Sequence, residues 1–104
     1  MDAHWQKMAN LVFELDKKMP SKEGNPSLQR IYDKMKQVVE EAGIYLYNPA
    51  GEKYMETRTD VDASIAGAGM KNLAITDVIK PVLYKVEDGK RSLLQKGVVI
   101  VSEQ

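Results

Sequence analysis

The stretch from Asn25 to Gly43, Asn-Pro-Ser-Leu-Gln-Arg-Ile-Tyr-Asp-Lys-Met-Lys-Gln-Val-Val-Glu-Glu-Ala-Gly, carries the marks of a helix at both ends and along one side. Asn25 can cap the first turn, and Pro26 follows where a helix needs no N–H donor. Leu28, Ile31, Met35, Val38 and Ala42 recur every three or four residues, with Tyr32 and Val39 broadening the stripe. Gly43 stands where a left-handed residue ends a helix. What this apolar stripe packs against therefore decides how the rest of the chain can fold.

The segment before it, Asp2 to Met19, predicts a second helix. Trp5, Met8, Val12, Leu15 and Met19 form a heptad seam, with Leu11 beside it and Phe13 off it. Pro20 ends this helix, and a short connector framed by Pro20 and Pro26 folds the two helices into an antiparallel hairpin. Two such stripes exceed what two helices can cover for each other, so either the C-terminal half of the chain or a second copy covers them. The heptad spacing in both predicts a two-fold homodimer with a four-helix bundle, whose interface comprises Trp5, Met8, Val12, Leu15, Leu28, Ile31, Met35 and Val38. The methionines in the stripes read as core filler, not as a metal or cofactor site.

After Gly43 the period shortens. Ile44 to Tyr47 alternates as a strand, and Asn48-Pro-Ala-Gly51 is a turn. Tyr54 to Asp62 reads equally as extended structure or as an ordered loop. Gly67 and Gly69 suggest a flexible or tightly turned connection. Leu73 to Val86 is the longest strand-like run, with Pro81 predicting a bulge or an edge. Glu87-Asp-Gly-Lys90 is a hairpin signal. Arg91 to Leu94 pairs back, Gly97 interrupts the return, and Val98 to Val101 is apolar on both faces, as a buried strand requires. The expected fold is α+β: a helical dimerisation hairpin over 1–43 and a small, mainly β domain over 44–104.

Composition narrows the function. Fifteen basic and fifteen acidic residues cancel, seven of each in 1–43 and eight of each in 44–104. Neither half offers the basic footprint of a nucleic-acid binder or an anionic-membrane binder. No apolar run is long enough to span a bilayer and no signal-peptide pattern opens the sequence, so a cytoplasmic location is expected. The absence of cysteine excludes disulfides and thiolate chemistry. The one histidine, His4, lies near a helix start with no nucleophile–acid set around it. Asp60 and Asp62 lack the further oxygen ligands and the glycine of a calcium loop. Ile65-Ala-Gly-Ala-Gly69 lacks the third glycine of a dinucleotide fingerprint, and no Gly-Lys-Ser/Thr follows it. No catalytic residue, cofactor or metal is expected; binding to another protein is.

The order of elements resembles the GrpE family, the nucleotide exchange factors of DnaK-type chaperones. Glu41-Ala-Gly-Ile-Tyr-Leu46 looks like that family's junction between helix and first β-strand. Ile75-Thr-Asp-Val78, Tyr84, the turn through Gly89, Arg91 and Val98-Val-Ile-Val-Ser102 resemble its closing hairpin and last strand. The likeness spans about residues 8–104. It departs at Tyr54-Met-Glu-Thr-Arg-Thr-Asp60, where the family has an acidic-Pro and His-Glu-Ala stretch, and at Leu83-Tyr84, where the family has Gly-Tyr. The family's long N-terminal paired helices have no counterpart here.

The resemblance implies a homodimeric co-chaperone without bond chemistry, whose β-domain binds the open ATPase cleft of a DnaK-type chaperone and promotes ADP release. The implied partner contact is the outward face of the closing hairpin: Tyr84, Lys85, Lys90 and Arg91, with Arg91 the residue the family match supports. Two other readings compete with it. One is an unrelated dimeric protein–protein adaptor, and the other is a small enzyme or ligand-binding domain centred on Arg58, Asp60 and Asp62.

Overall fold

The computed structural model describes residues 2–18, 25–67, 69 and 71–103. The expected seam residue Met19 and the connector from Pro20 to Gly24 lie outside the described residues. The described chain is α+β, with two helices followed by six strands in two three-stranded sheets. Helix α1 covers Asp2–Lys18 and α2 covers Pro26–Glu41.

Helix α2 begins and ends as its sequence dictates. The Asn25 side chain accepts a hydrogen bond from the Leu28 N–H at 3.2 Å. At the other end the Gly43 N–H donates to the Glu40 carbonyl at 2.9 Å, and Gly43 takes φ +91°, a conformation that strains any residue with a Cβ. The chain leaves this turn directly into β1, Ile44–Tyr47.

The rest of the sheet structure is organised by one long bent ribbon. Strands β3 (Leu73–Lys80) and β4 (Val82–Glu87) run out, and β5 (Lys90–Gln95) and β6 (Gly97–Glu103) run back. Asp88 and Gly89 both have positive φ, the backbone of a tight two-residue hairpin turn. Register runs antiparallel from Glu87 opposite Lys90 to Leu73 opposite Glu103, with irregularities at Ile75/Asp77, at Val78/Lys80 and between Leu83 and Tyr84. The expected disturbance at Pro81 is a corner: the ribbon changes sheets there and at Lys96. Gly97 at the second corner is crowded, since a Cβ would lie 2.9 Å from Val82 Cγ2 and 3.3 Å from the Lys80 carbonyl.

Two short strands complete the sheets. Strand β1 adds antiparallel to β4, giving the order β1-β4-β5. Strand β2, Val61–Ile65, adds parallel to β6, giving β2-β6-β3. The stretch Tyr54 to Asp62 therefore resolves into a loop followed by the start of β2. Strand β6 lies between two others, but it is fully buried on one face only: Val99 and Val101 are buried, while Val98 and Ile100 on the other face of the apolar run are half-buried.

Helices and sheets share one core. Ala9, Val12 and Phe13 of α1 and Tyr32 and Val39 of α2 cluster with Ile44, Leu46, Val82 and Leu83, and with Ile75, Val99 and Val101 of the other sheet. This corrects the expected helix faces. Val12, assigned to the dimer interface, is buried in the chain's own core, and Phe13, placed off the seam, is buried as well. The reason is geometric: spacings of four, three and one through Trp5, Ala9, Val12 and Phe13 make a second stripe, and the chain's own strands claim it. Met8, Leu11 and Leu15 of α1 and Leu28, Ile31 and Val38 of α2 stay exposed, while Trp5 and Met35 are half-buried. Each helix thus carries one apolar stripe inward and another to the surface.

Side-chain ties hold α1 on the sheets. Asn10 and Gln95 exchange amide hydrogen bonds, and Gln95 Nε2 also donates to the Pro81 carbonyl at 2.9 Å. In the last turn, Lys17 Nζ donates to the Val78 carbonyl at 2.8 Å and pairs with Asp77 at 3.0 Å.

Candidate protein-contact surface

Strand alternation divides the closing hairpin into two faces, and the four expected contact residues divide with it. Tyr84 and Arg91 lie on the outer face. Lys85 and Lys90 project from the other face, with Glu87, whose carboxylate accepts from Lys85 Nζ at 2.9 Å. The grouping of all four on one outward surface is therefore corrected: the structure brings Tyr84 and Arg91 together and separates the lysines from them. Towards β1 the lysine-bearing face becomes the core side, since Ile44 stands opposite Lys85 and Leu46 opposite Leu83.

The outer face is built from three residues that sequence reading did not select. Tyr45 pairs with Tyr84, and Tyr84 pairs with Leu93, which makes a row across all three strands. Val86 and Arg91 form the next row. The Arg91 guanidinium carbon lies 4.9 Å from the Tyr84 ring centre and 5.4 Å from that of Tyr45, and the two rings are 6.4 Å apart. A cation over two aromatic faces is held in place without using its in-plane N–H donors. Tyr45, Val86 and Leu93 are each about two-fifths exposed (38%, 39% and 43%), so the outer face is an apolar surface beside a fixed positive charge. Tyrosine and arginine are among the residues enriched in interface hot spots. The alternation in Ile44 to Tyr47 was the one available signal for Tyr45; its place beside Tyr84 depends on a cross-strand register that no local pattern encodes.

The group Arg58, Asp60 and Asp62 does not converge. Arg58 makes a two-pronged pair with Asp60, Nε to Oδ1 at 3.0 Å and Nη2 to Oδ2 at 2.8 Å. Its Nη1 reaches Glu52 at 3.1 Å, and Glu52 also accepts a hydrogen bond from the Tyr47 hydroxyl. Asp62 stands apart and exposed, 3.8 Å from Lys96. Hydrogen bonding to Asp60 drives the Arg58 pKa up, and the same bonds hold the Asp60 carboxyl below the ordinary carboxylate value. The Glu52 hydrogen bond raises the Tyr47 pKa. The guanidinium has donors on all three nitrogens engaged, so the network pins the loop between β1 and β2. His4 is exposed. Among the described residues no three His, Cys, Asp or Glu side chains cluster in a way that could hold a metal ion, and no helix is long and apolar enough to cross a membrane.

No protein-family model matches the chain, and neither a curated protein nor a solved structure matches it.

Proposed function

We propose that this protein is a GrpE-like nucleotide exchange factor: a homodimeric, cytoplasmic co-chaperone that promotes ADP release from a DnaK-type chaperone. The observation that carries the reading is the apolar stripe left at the surface of both helices. Met8, Leu11 and Leu15 on α1 and Leu28, Ile31 and Val38 on α2 are exposed in the single chain although the same helices bury a full stripe inward. A second copy covers these residues in a four-helix bundle, joined at its margins by Trp5 and Met35. The bundle is the mount, and the β-strands docked on it are the wedge.

An exchange factor makes and breaks no covalent bond. It binds the open form of the partner's nucleotide cleft more tightly than the closed form, and only that difference shifts the population. Moving the cleft from mostly closed to mostly open takes about 5.5 kcal/mol, and each tenfold gain in ADP release takes about 1.4 kcal/mol. The Tyr45–Tyr84–Leu93 row with Arg91 suits such a contact, because the apolar row loses water against the partner while the guanidinium pairs with a carboxylate. The rigid mounting of the ribbon through Gln95 and Lys17 supports it, because a wedge on a loose base cannot discriminate between two cleft widths.

The test is release of a fluorescent ADP analogue from a DnaK-type chaperone at micromolar concentrations of this protein. Acceleration that saturates with dimer concentration is expected. Unchanged release, with the dimer intact, removes the exchange-factor reading in favour of a dimeric adaptor for another protein.

A further inference from the structure

Strand β5 ends its sheet, with β4 on one side and, among the described residues, no strand on the other. Which of its main-chain groups face that open side follows from one hydrogen bond. The Val86 N–H donates to the Gly43 carbonyl at 2.7 Å, on the β1 side of β4. Arg91 stands opposite Val86, so this is a pair whose main-chain groups point away from each other. Lys90 and Ser92 therefore bond to β4, and the N–H and C=O groups of Arg91 and Leu93 face outward. The irregularity that leaves Leu94 between the partners of Leu83 and Tyr84 ends the regular edge, so the open template is Lys90 to Leu93.

We infer that this edge takes an extended acidic segment of a partner protein as an added strand. Strand addition supplies main-chain hydrogen bonds from the open edge and selectivity from the flanking side chains. Those side chains state what fits. Leu93 extends the apolar row of Tyr45 and Tyr84 to the edge and asks for an apolar neighbour. Arg91 on the same face and Lys90 on the other ask for carboxylates, and Lys96 follows at the corner. The acidic groups nearby are Glu87, which pairs with Lys85, Asp88 in the turn, and Asp62, which lies 3.8 Å from Lys96. A second copy pairing through β5 is the wrong occupant, because Lys90–Gln95 holds no carboxylate to meet Lys90 and Arg91. The inference deepens the reading of this face as a protein contact, but its test requires no chaperone.

The probe is the peptide acetyl-Thr-Val-Thr-Glu-Glu-Val-amide, with a control in which both glutamates are lysine. The readout is amide hydrogen exchange by NMR on the full chain. At ten times the dissociation constant only about one chain in eleven is free, so exchange at the Arg91 and Leu93 amides slows about tenfold while Ser92 changes little. The lysine peptide gives no protection. Leu93→Pro removes an outward N–H without touching the ladder to β4 and abolishes binding, whereas Leu93→Ala retains it. Should Leu93→Pro fail to fold, the exchange pattern of the unsubstituted chain decides. Absence of saturable binding, binding without protection at Arg91 and Leu93, or equal binding of the lysine peptide overturns the inference. Any of these leaves ADP-release activity standing, and failure of the ADP assay leaves strand addition standing.

Discussion

Asn10 and Gln95, 85 positions apart in the chain, exchange two amide hydrogen bonds of 2.9 Å each. Gln6 adds a third at 3.0 Å, and the Pro81 carbonyl takes the remaining Gln95 proton. One side chain thus joins α1 to both strands of the ribbon where they change sheets.

Replacing Gln95 with Ala leaves Asn10, Gln6 and the Pro81 carbonyl without that partner at a half-buried site. The expected loss is about 1–3 kcal/mol, read as a lower urea midpoint at fixed protein concentration. Gln95→Glu should also destabilise, because a carboxylate cannot donate to the Pro81 carbonyl.

The Arg58 pin gives stability a defined pH dependence. Arg58 holds the Asp60 pKa below its ordinary value, so the folded state binds a proton at Asp60 less readily than the unfolded chain. That contribution is complete above the ordinary carboxylate value and is lost as pH falls through the depressed one. Thermal midpoints should therefore drop on acidification below about pH 4, and Asp60→Asn should flatten that part of the profile. Arg58→Met should cost about 1–2 kcal/mol at neutral pH, less than a fully buried pair because the carboxylates keep some solvent.

On the proposed dimer, the two stripes of α2 separate association from folding. Ile31 is 54% exposed and Val38 49% exposed in the single chain. Ile31→Asp with Val38→Asp should halve the mass seen in sedimentation while the far-ultraviolet spectrum is kept. Val39, 1% exposed, is the contrast: Val39→Asp buries an unpaired charge and should unfold the chain. A monomeric mass before any substitution would defeat the bundle reading.

Arg91 and Lys90 are neighbours in sequence and lie on opposite faces of β5. On the proposed exchange-factor reading, Arg91→Ala should slow ADP release about tenfold, the effect of about 1.4 kcal/mol lost at one contact. Lys90→Ala should stay within about twofold. Equal losses in the ADP-release assay would place the contact at the hairpin tip and not on the aromatic face.

Much of the secondary structure was legible because its causes are local. Asn25, Pro26 and Gly43 bound α2 through the hydrogen-bonding needs of its own ends. Asp88-Gly89 sets the hairpin by accepting positive φ, and Pro81 breaks the ladder because it has no N–H to give. These devices act within a few residues, so a linear reading contains them.

Other features depend on which distant segments meet. The parallel pairing of β2 with β6 joins residues about 36 positions apart, as in Val61 with Gly97, and nothing in Val61 to Ile65 names its partner. The same holds for the choice between the two stripes of α1, which differ little in hydrophobicity. Val12 and Phe13 went inward because they join the core that the strands close, leaving Met8 and Leu15 outside. Amino-acid order alone determined where helices, turns and the hairpin lie, since those answer to backbone hydrogen bonds and allowed dihedrals. Tertiary structure decided which apolar stripe is core, which residues share a face with Arg91 and which strand edge is open, because burial and register are properties of packed neighbours.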